Sequence, residues 1–537
     1  MRFLQSMCLI LFPCVLFAFA ARGTIHYVNV DCTNAVPPYT NWDTAAVTIQ
    51  DAENWSNGGD EILVTNGVYA AGGFLDRRLS ISGAKYVHSV NGPNVTIIEG
   101  YQPPGTTNGS GSIRCAFLSS GVTLAGFTLT HGAAPGGGGG VSAYSGCIVS
   151  NCDIGFNTGN PGGGVYLQDS TLLNCQIHDN FSPANGGGVY SPNSTPGGFG
   201  RVVGCTFSNN IAASGGGGTF QGTNTGCVFH GNKAVNGGGT YNASLNNCLL
   251  VSNLVTGLGG GAYNGGMTNC LLIGNSATTG GGAYGAYIVN CIVVSNSAGT
   301  AGGVWFSNPG GLVVAVLNDI LYWNSATTDP DFHGDHYTGS PVNLAWCCIP
   351  TGVGDHSISN APDFADAIHG DFRLSPESPC INAGRNSYIT TSTDMDGNPR
   401  IVGGTVDIGA YEFQNPQSLI SYGWLQNHGL PTDGSADYLD VDGDGMNNWE
   451  EWMANTDPTN SLSYLHMLSV DQTNNGAGIT VHWQATGIRY FLQRSTNLST
   501  PFTTIATNIF AAPGTASYRD TAATGPGPYY YRIGVTP

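Results

Sequence analysis

One short phrase recurs through the middle of the chain and limits what the chain can fold into. A glycine run is followed by a small residue, an aromatic residue and then a cysteine, and an asparagine stands five residues after each cysteine. The cysteines are Cys152, Cys175, Cys205, Cys227, Cys248, Cys270 and Cys291, and the asparagines are Asn157, Asn180, Asn210, Asn232, Asn253, Asn275 and Asn296. A period near 22 residues, rich in glycine and β-branched residues, predicts a β-solenoid in which each coil stacks on its neighbours.

Alternation along each strand indicates which side chains point inward. The residue two positions after each cysteine is always apolar, and the set is Ile154, Ile177, Phe207, Phe229, Leu250, Leu272 and Val293. The cysteines are therefore predicted to face the core as small apolar fillers. Disulfides between coils are the alternative, but stacked parallel side chains point the same way, which is poor geometry for a bridge.

Two further columns follow from the stacking of coils about 4.8 Å apart. The asparagines are predicted to form a ladder in which each amide bonds to the next coil. The aromatic residues are predicted to face inward because the residues that follow them are often polar; an outward ladder able to stack on sugar rings is the alternative. These aromatics are Tyr166, Tyr190, Phe220, Tyr241, Tyr263, Tyr284 and Trp305.

The composition excludes several classes of protein. Charged residues make up only 9% of the chain and 81 residues are glycine, which argues against a helical protein. With 34 acidic against 15 basic residues, no basic stripe is available for nucleic acid or for an anionic membrane surface.

The N-terminus carries the pattern of a secretory signal. Arg2 precedes the apolar run "MCLILFPCVLFAFA", and small residues follow, so residues 1–20 are predicted to be a signal peptide of a secreted or cell-surface protein. An uncleaved anchor is the alternative for this run. No later segment reaches the roughly 18 apolar residues of a membrane span, so an integral membrane protein is not expected. Removal of the signal leaves 13 cysteines, an odd number.

The chain resembles bacterial right-handed parallel β-helix proteins of the pectin-lyase-like superfold. The segment "PPYTNWDTAAVTIQDAENWSNGGDEILVTNGVYAAGG" resembles their entry region, which implies a short capping helix around Ile49 to Trp55. The phrases "FSNN" at 207–210 and "FHGN" at 229–232 are similar to repeats of chlamydial polymorphic membrane proteins, and "DMDGNPRIVGGTVDIGAYEF" resembles closing coils. The resemblance implies a β-helix with an N-terminal cap over residues 21–414. It does not imply one function, because this superfold includes lyases, hydrolases, epimerases and adhesins.

Acid–base groups are scarce in the regular coils. Asp153 and Asp179 occupy different positions of their coils, one and four residues after the cysteine, and are not an evident pair. The best remaining cluster is "DPDFHGDH", whose polar residues can ligate a metal or move protons. A solvated loop between coils is the alternative. The candidate catalytic residues of this cluster are Asp329, Asp331, His333, Asp335 and His336.

One outer face changes character along the solenoid. At the positions one and three residues after the cysteine, early coils carry polar side chains and later coils carry Leu249, Val251, Leu271, Ile273, Ile292 and Val294. A contiguous apolar patch of this kind is unusual on a soluble monomer. We expect it to be covered, either by the C-terminal part of this chain or by self-association with another subunit.

The segment 415–464 carries a calcium-binding pattern, "DVDGDGMNNWEE". Its spacing matches an EF-hand loop, with oxygen ligands that suit calcium and a backbone carbonyl expected from the seventh position. The segment resembles dockerin and thrombospondin type 3 calcium repeats; an acidic turn without metal is the alternative. The expected calcium ligands are Asp440, Asp442, Asp444, the carbonyl of Met446, Asn448 and Glu451.

Short alternating runs fill residues 465–537 and predict a small β-sandwich resembling fibronectin type III. Taken together, the sequence predicts a secreted β-helix protein that is a non-catalytic adhesive module for an extracellular polysaccharide or cell-surface glycan, with structural calcium. The alternative is a polysaccharide lyase or glycoside hydrolase on the same fold, and a third hypothesis is a surface-layer component.

Overall fold

The computed structural model describes residues 23–74, 76–106, 108–192, 198–306, 315–334, 343–472 and 478–535. The predicted signal peptide, Asp335 and His336 lie outside these ranges. The described chain is all-β, with 41% of residues in strands, and its parallel β-solenoid has about 10 turns, as the repeat predicts. Two compact units are distinguished: the first comprises residues up to Ala361, Arg385–Arg400 and Ile408–Glu412, and the second Pro362–Gly384, Ile401–Asp407 and Phe413–Pro537.

Three parallel sheets build the solenoid in the first unit, and the smallest of them spans only the middle coils. The largest has 22 described strands, two from each regular coil, which merge into single strands at Thr240–Asn246 and Ala262–Thr268. Its other strands are Ile25–Val28, Glu61–Val64, Arg77–Ser82, Tyr86–Ser89, Arg114–Ser119, Thr123–Ala125, Val141–Tyr144, Ile148–Ser150, Val165–Gln168, Thr171–Leu173, Val189–Tyr190, Arg201–Val203, Thr219–Phe220, Thr223–Thr225, Ala283–Tyr284, Tyr287–Val289, Val304–Phe306, Ala315–Leu317, Phe332–Gly334 and Asn343–Ala345.

The second sheet has 11 described strands and the third has six. The 11-stranded sheet comprises Gly67–Tyr69, Thr96–Glu99, Thr128–Thr130, Asp153–Gly155, Gln176–His178, Thr206–Ser208, Val228–His230, Leu249–Val251, Leu271–Ile273, Ile292–Val294 and Ile320–Tyr322. The six-stranded sheet comprises Ala133–Ala134, Thr158–Gly159, Phe181–Ser182, Ile211–Ala212, Lys233–Ala234 and Leu254–Val255, and a separate pair is Ser297–Thr300 with Ser325–Thr328. The predicted capping helix is present at Ile49–Trp55, with Thr48 as its N-cap.

The apolar residues two positions after the repeat cysteines line the interior of the solenoid, as predicted. Ile154, Phe207, Leu250 and Val293 are fully buried, and each residue pairs in register with its equivalent in the next coil. The seven repeat cysteines are buried, as predicted for core fillers, and all 13 described cysteines are free thiols in this structure.

The asparagine ladder is present and continuous. Asn210 shows the pattern: its Nδ2 donates to Oδ1 of Asn232 at 3.0 Å and to the carbonyl of Ile177 at 2.8 Å, while its Oδ1 accepts from Nδ2 of Asn180 at 3.0 Å. The amide is fully buried. Each rung therefore satisfies polar groups that burial would otherwise leave without partners.

The expectation of inward aromatics is wrong, and the outward alternative is correct. The residue before each aromatic is the buried one, as Val165, Thr240 and Val304 show, so alternation places the ring outside. The residues that follow are polar for a different reason: Gln221 and Asn242 adopt the left-handed conformation of a turn, with φ of 62° and 52°.

The rings nevertheless do not offer their faces to a ligand. Tyr241 and Tyr263 stack with centroids 4.6 Å apart and planes 16° apart, and Tyr284 and Trp305 stack at 6.0 Å and 2°. Because each ring covers the faces of its neighbours, the column, here called the aromatic ladder, stabilises the stacking of coils and leaves ring edges outward.

The apolar outer face of the later coils is covered in part by the chain itself. Of the two expectations, cover by this chain and cover by another subunit, the first therefore holds for part of the face. Leu271, Ile292 and Val294 are buried, whereas Leu249, Val251 and Ile273 are half-buried. Gly409 packs so closely here that a Cβ on it would lie 2.8 Å from Cδ1 of Ile320 and 3.3 Å from Cγ1 of Ile292. Self-association is therefore not required to cover the three buried residues.

The second unit contains helices Tyr422–Asn427 and Asn448–Ala454, a hairpin of Phe364–Asp366 with Asp371–Leu374, and two antiparallel three-stranded sheets. The sheets comprise Met467–Gln472, Ile479–Ala485 and Gly514–Asp520, and Arg489–Ser495, Thr503–Phe510 and Tyr530–Val535. Val481, Trp483, Tyr490 and Leu492 form one core between them. Among the described residues, no helix is long and apolar enough to span a membrane.

Candidate functional site

A polar cleft lies on the outside of the first coils. Its volume is about 530 Å³, and it is lined by Ala70, Arg78, Glu99, Gly100, Tyr101, Gln102 and His131. Glu99 ends its strand and pairs in register with Thr130 of the next coil. His131 follows immediately and has a φ of 52°, so its ring turns back toward the preceding coil, with Nδ1 3.5 Å from Oε1 of Glu99.

The walls of the cleft are fixed by hydrogen bonds to backbone carbonyls. Arg78 Nε donates to the carbonyl of Glu99 at 2.9 Å, and burial lowers the pKa of the Arg78 guanidinium. Gln102 Nε2 donates to the carbonyl of Phe156 at 2.6 Å and to that of Gly132 at 3.3 Å. The backbone around the cleft is therefore tied across three coils, while the side chains of Glu99 and His131 stay accessible, with 38% and 57% of their surface exposed.

The chemistry available in the cleft is proton transfer beside a positive charge. An imidazole next to a carboxylate can accept a proton and be oriented by its partner. The Arg78 guanidinium, which is always charged, can pair with an anionic group of a substrate. Glu99 is the single carboxylate among the described residues that line the cleft.

A second cluster stands on the same outer face, and it changes the interpretation of two aspartates. His178 Nε2 lies 2.7 Å from Oδ1 of Asp153, and its Nδ1 lies 2.9 Å from Oδ2 of Asp179. Asp153 and Asp179 occupy different positions in the repeat, yet both bond to the imidazole of His178. Gly155 makes this possible, because a Cβ there would lie 2.4 Å from the ring of His178.

The hydrogen bond that His178 donates to Asp153, followed by the one it donates to Asp179, raises the pKa of His178 to about 9 despite partial burial. The ring is therefore a cation at neutral pH, held between two carboxylates. With both nitrogens engaged, His178 offers no free donor to a ligand, and the cluster presents the outer oxygens of its aspartates instead.

The described part of the candidate segment at 329–336 ends two columns of the solenoid. Asp331 Oδ1 accepts from Nδ2 of Asn324 at 2.9 Å and continues the asparagine ladder, and burial raises the pKa of this carboxyl. His333 stacks on Trp305 with centroids 4.0 Å apart and bonds to Asp329 through Nδ1. Through these contacts, Asp329, Asp331 and His333 stabilise the end of the solenoid. Their role in acid–base chemistry stays a prediction.

The predicted calcium loop has the turn expected of such a site. Oδ1 and Oδ2 of Asp440 accept from the backbone of Gly443 at 2.8 Å and Gly445 at 3.0 Å. Asp440, Asp442 and Asp444 each bring one carboxylate oxygen within 4.8 Å of the others.

Buried oxygens without partners support a cation in this loop. Oδ2 of Asp442, Oδ2 of Asp444, Oδ1 of Asn448 and Oε2 of Glu451 are buried and accept no hydrogen bond. Burial, together with the charges of Asp442 and Asp444, raises the pKa of Glu451 to about 7. These four buried oxygens have no hydrogen-bond partner and belong to three carboxylates and one amide, which fits the ligand set of calcium.

The residues of the cleft were not found from the sequence. Arg78, Glu99 and His131 lie in the first coils, where the glycine and cysteine phrase is absent, so no repeat assigned their side chains to a face. One signal was present: Glu99 is the last glutamate before Glu377, and it stands at the end of an alternating run.

Comparisons with known proteins give similarity to solved structures only. No family model and no curated protein sequence matches the chain. A pectate lyase, Pel9A, is 17% identical, covering 73% of this chain and 97% of that chain, with a TM-score of 0.40. A rhamnogalacturonan lyase is 12% identical over 71% and 96%, with a TM-score of 0.32, and the PL6 alginate lyase AlyGC is 10% identical over 65% and 59%, also with 0.32. Such values are too low to transfer a residue role to this chain.

Proposed function

We propose that this chain is an extracellular protein that binds an acidic polysaccharide and cleaves it by elimination in the cleft of Arg78, Glu99 and His131. The observation that carries the proposal is the imidazole–carboxylate pair at 3.5 Å beside a fixed guanidinium. Hydrolysis usually requires two facing carboxylates, and Glu99 is the one carboxylate of the described cleft lining. The non-catalytic adhesive module is the second hypothesis, and the experiment described below distinguishes it from elimination.

In the proposed reaction, Arg78 pairs with the carboxylate of a uronic acid residue and favours the anion that forms next to it. His131, which lies beside Glu99, accepts the proton from the carbon that bears this carboxylate. The bond between the neighbouring carbon and the glycosidic oxygen breaks, a carbon–carbon double bond forms, and the leaving oxygen takes a proton. Tyr101, which is among the lining residues of the same cleft, is the proposed donor of that proton.

Calcium belongs to the second unit in this proposal. Asp440, Asp442, Asp444, Asn448 and Glu451 would hold it with their side-chain oxygens, and Met446 with its carbonyl. The orphan buried oxygens support this assignment, because a divalent cation would neutralise carboxylates that otherwise repel one another. The ion is proposed as structural.

The test is to incubate the mature protein with acidic and neutral polysaccharides, with and without calcium, and to measure unsaturated products and new reducing ends. We expect unsaturated products from an acidic polymer, and a loss of about 100-fold or more in rate for His131→Gln, as for removal of a general base. His230→Gln is the matched control, because His230 is an exposed histidine on the 11-stranded sheet that also contains Glu99. Binding without any cleavage would contradict the elimination and support the adhesive module; reducing ends without unsaturation would indicate hydrolysis.

A further inference from the structure

Two arginines lie directly opposite each other in the first coils. Arg77 and Arg114 are register partners in adjacent strands of the 22-stranded sheet. Like charges opposite one another across strands destabilise the pair. The chain has only 15 lysines and arginines against 34 acidic residues, so a general surplus of cations does not account for this pairing.

Arg77 is the accessible member of the pair. Its Nε and Nη2 donate to the two carboxylate oxygens of Asp76 at 2.8 and 2.9 Å, and its Cζ lies 4.4 Å from the ring centroid of Phe117. The hydrogen bond from Arg77, and then the charges of Arg77 and Arg114, lower the pKa of Asp76. About a quarter of the Arg77 side chain is exposed.

Arg114 is the buried member, and no described carboxylate forms an ion pair with it. It is 7% exposed, and its Nη1 and Nη2 donate to neutral groups: the carbonyl of Gly137 at 3.2 Å, the hydroxyl of Ser142, and the carbonyl of Gly136 at 2.9 Å. Its Nε is buried without a partner. Buried charges are normally paired. One carboxylate, that of Asp76, therefore stands against two guanidinium groups, and the local charge is positive.

We propose that this arginine pair is an anion subsite, at which a carboxylate or sulfate group of an acidic polysaccharide binds to the exposed guanidinium of Arg77 beside Phe117. The anion would supply the counterion that Asp76 alone cannot supply to both arginines. This subsite rests on the proposed function for the identity of its ligand as a polysaccharide. It is separate from the cleft in residues, since Arg77 takes no part in the cleft lining.

The experiment compares substitutions of opposite sign. Arg77→Gln removes the accessible charge, and we expect it to weaken binding of polygalacturonate about tenfold, the effect of one charge-assisted hydrogen bond. Asp76→Asn removes the internal competitor, and we expect tighter binding. The charge-matched controls are Arg201→Gln, on an exposed strand position of the same sheet, and Asp355→Asn, an exposed aspartate paired with its neighbour His356. Both controls are expected to leave affinity unchanged.

Titration calorimetry with polygalacturonate, its neutral methyl ester, dextran sulfate and dextran identifies the anion. A response of Arg77→Gln with either acidic polymer, and none with the neutral ones, supports the subsite and tells carboxylate from sulfate. Equal weakening by Arg77→Gln and Arg201→Gln, or no gain from Asp76→Asn, overturns it. Unfolding temperatures confirm that the variants are folded, and Arg77→Lys is expected to restore part of the affinity.

The outcome is distinguishable from failure of the proposed elimination. If no polymer is cleaved but Arg77→Gln weakens binding, the elimination is wrong and the subsite stands. If a polymer is cleaved and Arg77→Gln changes neither its affinity nor KM, the subsite is wrong and the cleft stands.

Discussion

At the scale of single residues, the neighbours of a side chain are set by its place in the coil. Cys227 and Phe229 were predicted to face inward from alternation alone, and both are buried. The same reasoning failed for the aromatic residues because polar residues at turns were taken for polar residues on an outer face. A left-handed turn selects small polar residues for conformational reasons that have no connection with solvent.

The imidazolium of His178 provides a test of the outer face. We expect its NMR titration in the folded protein near pH 9, because Asp153 and Asp179 hold the proton. Since the folded pKa is raised, the stabilisation from this cluster is fully present below the unfolded value of about 6.5 and is lost as the pH rises through about 9. Asp153→Asn should lower the pKa of His178, and Asp169→Asn should not. A wild-type pKa near 6.5 would show that the cluster does not form in solution.

Thiol reactivity tests the buried cysteine column. Burial raises the pKa of the Cys175, Cys227 and Cys270 thiols of this column and also keeps reagents away from them. Cys32 is the one described cysteine that is not buried. We expect a thiol reagent to modify Cys32 alone in the native protein and the remaining cysteines only after denaturation. Rapid modification of several thiols in the folded state would argue against the column.

At the scale of elements, the ladders join one coil to the next. Asn210→Ala would remove the acceptor of the Asn180 backbone N–H and of one Asn180 side-chain N–H, and the side-chain donor to the Ile177 carbonyl. We expect a loss of about 2 to 3 kcal/mol in the free energy of unfolding, the cost of orphaned buried polar groups. Ser208→Ala, on the outer surface of the same coil, is the control and should change little. Urea unfolding measures the change in the free energy of unfolding for both variants. Equal changes would show that the asparagine ladder does not stabilise the stacking of coils.

The repeat also explains which parts of the site were predictable. Period and alternation specify the coils from Cys152 to Asn296, because each coil repeats the same packing problem. The calcium loop was recognisable because six ligand positions share one short segment. The cleft was not, because Arg78 and Glu99 lie on different strands of one coil and His131 follows a strand of the next, so only the winding and register of the coils bring them together.

At the scale of the whole molecule, calcium should stabilise the second unit. Binding to the folded loop alone adds about 2.7 kcal/mol when calcium is 100 times its Kd. We expect a chelator to lower the unfolding temperature of the unit in calorimetry and added calcium to restore it. Asp442→Asn should abolish the shift, whereas Asp433→Asn, outside the loop, should preserve it. A transition that ignores calcium would contradict the proposed site.

An acidic polysaccharide is proposed to bind on the first coils, at the cleft of Arg78, Glu99 and His131. Hydrogen–deuterium exchange with and without an acidic oligosaccharide measures the position of the ligand directly. We expect slower exchange at residues 96–102 and 128–132 when the oligosaccharide is bound, with no change along the later rungs of the aromatic ladder. Protection confined to those later rungs or to the C-terminal sheets, with none at the cleft, would contradict it.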